Sequence, residues 1–243
     1  MPPLLSSFPA LRDGFAEIFE AVAAQKGGKV ADYIPQLGRV DPERYGLGLC
    51  TVDNQRFALG DSNVDFCLQS GCKPINYALA LEEHGEAKIH QYVGREPSGR
   101  SFNELTLGPD DRPHNPMINA GAILICSLIR PELDPADRFD HVMARWQALQ
   151  GGHRPGFSNA TYLSERQTAD RNYALGYYMQ ERRVFPKNTA LIPTLEFYFQ
   201  CCSIESNCER LSVVAATLAG GGVCPATGER LLSPRTVRDT LSL

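Results

Sequence analysis

Apolar and polar residues recur along this chain with two different periods, which together predict a mostly helical protein with a small antiparallel sheet. From about Ala10 to Ala24 the apolar residues follow helical spacing, and Gly27-Gly28 ends that pattern. Tyr45 to Val52 and Gln55 to Leu59 instead alternate, and the turn residues Asp53-Asn54 between them predict a hairpin. One hairpin cannot form a stable sheet by itself, so the sheet signal is small.

The chain after residue 73 is predicted to be mainly helical. Pro74 suits the first turn of a helix that runs to about Glu83. Gly94 to His114 is rich in Pro and Gly and predicts a long loop, and Gly156 to Tyr162 predicts a second irregular stretch. The other predicted helices cover Asn115 to Ile129, Asp134 to Gly151, a segment that includes Asp170 to Tyr173, Thr194 to Cys202, Leu211 to Ala219, and a last helix from Arg235.

Composition narrows the class of protein. The 243 residues are 43% hydrophobic and 21% charged, which is enough apolar material for a core in one large domain or two small ones. The net charge of −4 shows no basic excess of the kind that binds nucleic acid. The eight cysteines have no ligand spacing, which indicates reduced thiols in an intracellular compartment and argues against a metal site. No apolar run reaches the length of a membrane span, so we expect no membrane partner.

The candidate chemistry centres on Ser70 and Lys73, which are three residues apart. On a helix this spacing is about one turn and puts both side chains on one face, where a neutral amine can act as the base that makes serine a nucleophile. Lys73 would have to be partly buried, or near another positive charge, to lose its proton near neutral pH. The alternative is an ordinary solvated serine and lysine near a helix start, and spacing alone does not decide between the two.

Four further polar or aromatic residues also have two readings. Tyr33 lies in an irregular segment, where it is either core filler or a functional residue. Asn119 lies in an apolar segment, so it is either a buried structural group or a ligand contact. Glu165 and Asn172 are seven residues apart, about two helical turns, which predicts that they face the same side. The alternative for Glu165 is a solvated or capping carboxylate.

Long motifs around these residues carry a family resemblance. In chain order they are Gly28 to Pro35, the pattern Gln-Ser-x-x-Lys-Pro from Gln69 to Pro74, Val93 to Gly99, His114 to Ala122, Gly156 to Thr161, and Asp170-Arg171-Asn172. With these motifs the sequence resembles the serine-dependent glutaminases, a family that includes the kidney-type and liver-type enzymes and shorter bacterial glutaminases. The resemblance covers nearly all of residues 28–243, and the motif sequences are closer to those of the animal enzymes.

The resemblance implies an α/β (α+β) fold like that of β-lactamases and penicillin-binding proteins, mostly helical with an antiparallel sheet. It divides the chain into an N-terminal helical segment, residues 1–27, and a glutaminase catalytic domain, residues 28–243. The last helix has no end signal before Leu243. Because the family has a further catalytic tyrosine and a late strand, we expect the catalytic domain to be incomplete at its C-terminus and the chain alone to be nearly inactive.

The resemblance also implies a reaction, the hydrolysis of L-glutamine to L-glutamate and ammonia through an acyl-enzyme. Ser70 is the implied nucleophile, Lys73 its general base, and Tyr33 a third catalytic residue that assists proton transfer. Glu165 is implied to pair with the ammonium group of the amino acid. The implied substrate contacts are Tyr33, Ser70, Asn119, Glu165, Asn172 and Tyr198. No cofactor or metal is implied, and phosphate is the expected activator.

The resemblance leaves several expectations and alternatives. Gly71-Cys72 stand where the animal enzymes usually have Cys-Val, and a glycine in a first helical turn costs about 0.5–1 kcal/mol. The family implies a homo-oligomer, a dimer or tetramer, with a mitochondrial location for an animal source and a cytoplasmic one otherwise. A second hypothesis is an inactive truncated subunit that binds and modulates full-length partners. A third, an acyltransferase of the penicillin-binding or β-lactamase type, lacks its Lys-Thr/Ser-Gly triplet in this sequence.

Overall fold

A computed structural model describes residues 7–243 and contains two small antiparallel sheets surrounded by helices. The strands are β1 (Gly46–Cys50), β2 (Arg56–Gly60), β3 (Phe66–Cys67), β4 (Gly156–Phe157) and β5 (Ile204–Ser206). The α-helices are α1 (Phe8–Ala23), α2 (Lys73–His84), α3 (Glu86–Ile89), α4 (Asn119–Leu128), α5 (Pro135–Leu149), α6 (Asn159–Thr168), α7 (Asp170–Glu181), α8 (Leu191–Cys202), α9 (Cys208–Ala219) and α10 (Pro234–Leu241). Short 3₁₀ helices span Leu37–Arg39 and Gln69–Cys72.

Helix α4 lies at the centre of the core. All ten of its residues are buried, and it packs against α2, α7 and α8. Its sequence is apolar or small on every side, which is typical of a helix surrounded by protein. A Cβ atom at Gly121 would lie 1.9 Å from the carbonyl oxygen of Asn115, so only glycine permits the close approach of the preceding segment to this helix.

The sheets confirm the predicted hairpin and add a second sheet. Strands β1 and β2 pair antiparallel, and β1 packs on α9, where a Cβ atom at Gly48 would lie 2.4 Å from the Cys208 carbonyl oxygen. Strands β3, β5 and β4 form a three-stranded antiparallel sheet in that order. Its strands are two or three residues long, too short to leave a periodic signal in the sequence. The α+β class, mostly helical with antiparallel strands, is confirmed.

Two sequence-based predictions about local structure are wrong. The helix predicted from Asn115 begins at Asn119, because the Asn115 side chain accepts hydrogen bonds from the backbone N–H groups of Met117 and Ile118 and forms a turn instead. The stretch predicted to be irregular from Gly156 contains β4 and the first turn of α6. Glu165 belongs to α6 and Asn172 to α7, so the argument from two turns of one helix does not apply to them, and that they face the same side stays a prediction.

The N-terminal helix predicted from Ala10 to Ala24 corresponds to α1, and Phe19 is its buried residue. The first six residues of the predicted segment 1–27 lie outside the described residues. Within residues 7–243, no helix has the length and apolar character that crossing a membrane requires. The division at residue 27 stays a prediction.

Candidate active site around Ser70

Ser70 lies in a tight turn that joins the short sheet to helix α2. Backbone hydrogen bonds hold this turn, from Leu68 N–H to the Ile204 carbonyl and from Gly71 N–H to the Leu68 carbonyl, both 2.8 Å. Gln69 has φ of 47°, a left-handed conformation that a non-glycine residue adopts at a free-energy cost of about 1–3 kcal/mol. The turn leaves the Ser70 side chain exposed, and in the described chain its hydroxyl has no hydrogen-bond partner. The candidate nucleophile is therefore open to a substrate.

Lys73, the first residue of α2, is 3% exposed. Its Nζ donates a hydrogen bond of 2.7 Å to Oδ1 of Asn119. No carboxylate in residues 7–243 forms an ion pair with it, and burial lowers the pKa of its amine. The structure thus meets the condition that the sequence argument set for Lys73. The two side chains share one turn, but no hydrogen bond joins Ser70 to Lys73 among the described residues.

A chain of side-chain hydrogen bonds continues from Lys73 into the protein. Asn119, whose Oδ1 faces Lys73, donates from Nδ2 to Oδ1 of Asn172 at 2.9 Å. Both asparagines are 8% exposed, and they come from α4 and α7. Because each buried amide is paired, the two side chains hold each other in fixed orientations beside the lysine.

Glu165 on α6 is 4% exposed and contacts Gln69, the residue before Ser70. Burial raises the pKa of its carboxyl group from 4.5 to about 7, while a hydrogen bond from Gln69 and the charge of Lys73 act in the opposite direction. Nε2 of Gln69 donates to Oε2 of Glu165 at 3.3 Å. A carboxylate with this pKa readily gains a proton in the empty site and ionises when a cation binds.

The two tyrosines differ in their surroundings. Tyr33 is 60% exposed, and its hydroxyl donates a hydrogen bond of 2.8 Å to Oε1 of Gln69 rather than to Ser70. Tyr198 on α8 is 2% exposed, and burial raises the pKa of its phenol well above the ordinary value, so it stays neutral. Tyr33 thus contacts Gln69, the residue next to Ser70. Among the described residues, Tyr33 makes no direct hydrogen bond to Ser70.

Gln69 joins these parts, and the sequence argument did not select it as a site residue. Its amide accepts from Tyr33, donates to Glu165 and also donates to the backbone carbonyl of Cys202 at 3.3 Å. The residue lies inside the Gln-Ser-x-x-Lys-Pro pattern, which was the only signal available for it. Its role as a junction depends on a left-handed φ and on three distant partners, which no local pattern reveals.

The arrangement suits acyl transfer to a serine hydroxyl. An exposed hydroxyl lies one turn from a buried amine, and a buried acid and two buried amides surround them. These are the group types that a nucleophile, its base and the polar ends of an amino acid require. No cluster of three or more His, Cys, Asp or Glu side chains able to hold a metal ion occurs in the described part of the chain.

Comparisons with known proteins match this chain to one family. The sequence model of the Glutaminase family matches residues 28–243. The mitochondrial liver isoform of glutaminase from Mus musculus is 50% identical over 226 residues, which are 93% of this chain and 38% of that protein. A glutaminase of Corynebacterium efficiens is 40% identical over 230 residues, which are 94% of this chain and 54% of that protein.

Solved structures agree with the sequence matches. A crystal structure described as Mglu in its L-glutamate binding form superposes with a TM-score of 0.87 at 35% identity, over 96% of this chain and 52% of that chain. Together with the sequence relatives, this means that the present chain spans between 38% and 54% of the length of these proteins.

Proposed function

The chain belongs to the glutaminase family, and from this premise we propose that it carries the nucleophile, the base and much of the substrate pocket of an enzyme that hydrolyses L-glutamine to L-glutamate and ammonia. The observation that carries the proposal is the environment of Lys73. A lysine that is 3% exposed, unpaired with any carboxylate in residues 7–243 and lowered in pKa lies one turn from an exposed serine. Burying a lysine without a carboxylate partner costs free energy, and groups buried in this way cluster at functional sites.

The proposed reaction has two halves. In the first, Ser70 Oγ adds to the side-chain amide carbon of glutamine while Lys73 Nζ takes the hydroxyl proton. The carbon–nitrogen bond then breaks, the proton passes from Lys73 to the departing nitrogen, and ammonia leaves a glutamyl ester on Ser70. In the second, water adds to the ester carbon with Lys73 again as base. The carbon–oxygen bond breaks, and Ser70 regains its proton as glutamate leaves.

Before the first step, Ser70 and Lys73 must form the hydrogen bond through which the proton moves. In the structure Nζ of Lys73 donates to Oδ1 of Asn119, and Ser70 Oγ has no hydrogen-bond partner among residues 7–243. Catalytic hydrogen bonds are often long or absent without substrate and form when substrate binds. Neutral Lys73 can keep its hydrogen bond to Asn119 during this step, because the lone pair on Nζ remains to accept the Ser70 proton. Asn172, which holds the other end of the Asn119 amide, then limits how far that amide can move.

The proposed substrate contacts follow from the charges of an amino acid. Glu165 supplies the negative charge for the α-ammonium group, and its buried position gives that ion pair strength. Asn119, Asn172 and Tyr198 supply neutral hydrogen-bonding groups for the carboxylate and the side-chain amide. Tyr33 closes the outer side of the pocket from its position on Gln69. A related structure is described as an L-glutamate binding form, which supports the binding of the product by this chain.

The cellular location of the reaction is proposed from the relatives of this chain. The liver-type proteins of mouse and rat, each 50% identical to this chain, are mitochondrial, which supports a mitochondrial location if this chain has an animal source. A homo-oligomeric assembly and activation by phosphate stay predictions from the family resemblance.

The decisive experiment uses a chimera, because the chain covers 38% of its mouse relative. In the chimera this chain replaces the matched 226 residues of that relative, and ammonia release from L-glutamine is measured. We expect turnover that Ser70→Ala abolishes. A diazoketone analogue of glutamine should label Ser70, mapped by mass spectrometry. Labelling at Cys72 instead, or ammonia release that survives Ser70→Ala, would refute the serine mechanism.

A further inference from the structure

A cavity lies beside α8, away from Ser70. It has a volume of about 530 Å³ and lies among the C-terminal end of α4, the start of α5, the loop before α8 and α8 itself. This volume is in the range of small-molecule sites, about 300–1,000 Å³. None of the seven residues predicted for the glutaminase site lines it.

Arg138 of α5 is the principal charged group of this cavity and is 8% exposed. Its Nε donates to the Ile129 carbonyl at 2.7 Å and its Nη2 donates to the Cys126 carbonyl, so it caps the C-terminal end of α4. Its guanidinium lies 3.9 Å from the centre of the Phe197 ring. No carboxylate in the described chain forms an ion pair with it.

The hydrogen bonds of Arg138 leave part of its guanidinium free. The group has five N–H donors, and the two carbonyls account for two of them. In residues 7–243, Nη1 of Arg138 has no hydrogen-bond partner. It is also not one of the fully buried polar atoms that lack a partner, so it remains accessible. Nη1 and the second N–H of Nη2 therefore have no acceptor among the described residues, on a side chain that lines the cavity.

The rest of the lining favours a ligand with one anionic end and an apolar body. Lys187 is exposed at the rim and forms no ion pair within the described residues. Glu196, the lining acid, is paired at 2.8 Å with Arg166, so its charge is compensated. The walls are mixed: uncharged polar side chains such as Ser127 and Gln200 accompany an apolar part formed by Leu128, Leu133, Pro135, Pro186, Pro193 and Phe197.

We propose that this cavity binds a small organic carboxylate, with the carboxylate on the free N–H groups of Arg138 and Lys187 nearby, and with an aliphatic body against the apolar part of the wall. The planar guanidinium matches a carboxylate better than a spherical anion, because two parallel N–H groups meet two oxygens. The site is independent of glutamine hydrolysis, so its test does not depend on the proposed enzyme activity.

The test is calorimetric titration of the 243-residue protein with octanoate, beside octanamide and inorganic phosphate. We expect octanoate to bind, and octanamide, which lacks the charge, to bind about tenfold to a hundredfold more weakly. Phosphate, which lacks the apolar body, should also bind at least about tenfold more weakly. No heat at millimolar octanoate, or equal affinity for octanoate and either comparison compound, overturns the proposal.

Variants locate the site. Arg138→Gln should weaken octanoate binding about tenfold to a hundredfold, whereas Arg145→Gln should change it less than about twofold. Arg145 is the matched control because it lies on the same helix and also donates to a backbone carbonyl, that of Leu231, but does not line the cavity. If Arg138→Gln fails to fold, the Lys187→Ala variant tests the site instead, because Lys187 is exposed. It should lower the affinity for octanoate about twofold to fivefold. Binding that none of the cavity variants alters overturns the assignment.

Discussion

Replacing Glu165 by glutamine tests whether this buried acid opposes folding when it is charged. The side chain is 4% exposed, and burial raises its pKa from 4.5 to about 7. A folded state that raises the pKa of an acid favours the protonated form. Below pH 4.5 the Glu165 side chain is protonated in both states and does not oppose folding. As the pH rises from 4.5 to about 7, its ionisation lowers the free energy of unfolding progressively.

The magnitude follows from the two pKa values. The difference between 4.5 and about 7 corresponds to about 3 kcal/mol of unfolding free energy, at about 1.4 kcal/mol for each factor of ten. In a chain of this size, 1 kcal/mol changes the melting temperature by about 2–4 °C. Relative to the Glu165→Gln variant, wild type should lose about 6–12 °C between about pH 4.5 and pH 8.

The assay is thermal unfolding of both proteins over this pH range without glutamine, followed by circular dichroism. The new amide, for example through its second N–H, can change the melting temperature by the same amount at every pH. This constant offset does not affect the test, because only the pH dependence of the difference between the two melting temperatures is used. Glu20→Gln, an exposed position on α1, is the matched control and should show no such trend. A difference between wild type and Glu165→Gln that stays constant from about pH 4.5 to pH 8 would refute the reasoning.

Three other predictions test the site and its support. In the chimera, kcat/KM for glutamine should fall by at least about tenfold per pH unit below pH 7, because protonated Glu165 cannot pair with the ammonium group and protonated Lys73 cannot act as a base, and a flat profile would contradict this. Gly121→Ala should leave little folded protein, since its Cβ would lie 1.9 Å from the Asn115 carbonyl oxygen, and a normal melting curve would be inconsistent with that packing. Asn207→Ala should lower the unfolding free energy by about 2 kcal/mol, because the Asn207 side chain caps α9 and donates a hydrogen bond of 2.8 Å to Asp65. Asn207→Ser, which keeps the cap alone and adds no charge beside Asp65, should give a smaller loss in chemical denaturation.

Local patterns in the sequence were sufficient for several elements. The hairpin of β1 and β2 follows from alternation around Asp53-Asn54, and the start of α2 follows from Pro74. The start of α10 follows from Ser233, whose side chain accepts from the Thr236 N–H. Each of these signals acts between residues a few positions apart, so the sequence alone contains the interaction. The short strands β3, β4 and β5 carry no such signal, because they are defined by their partners.

At the candidate site, the sequence determined that Ser70 and Lys73 share one turn, and the motifs around them determined the family. The tertiary structure decided that Lys73 is buried and that Glu165 has a pKa of about 7. It also decided that Gln69 joins Tyr33 to Glu165. The partners of Lys73 and Gln69 in these contacts lie 46 and 96 residues away. Burial and pairing over such separations set the protonation of Lys73 and Glu165, and no local pattern encodes them.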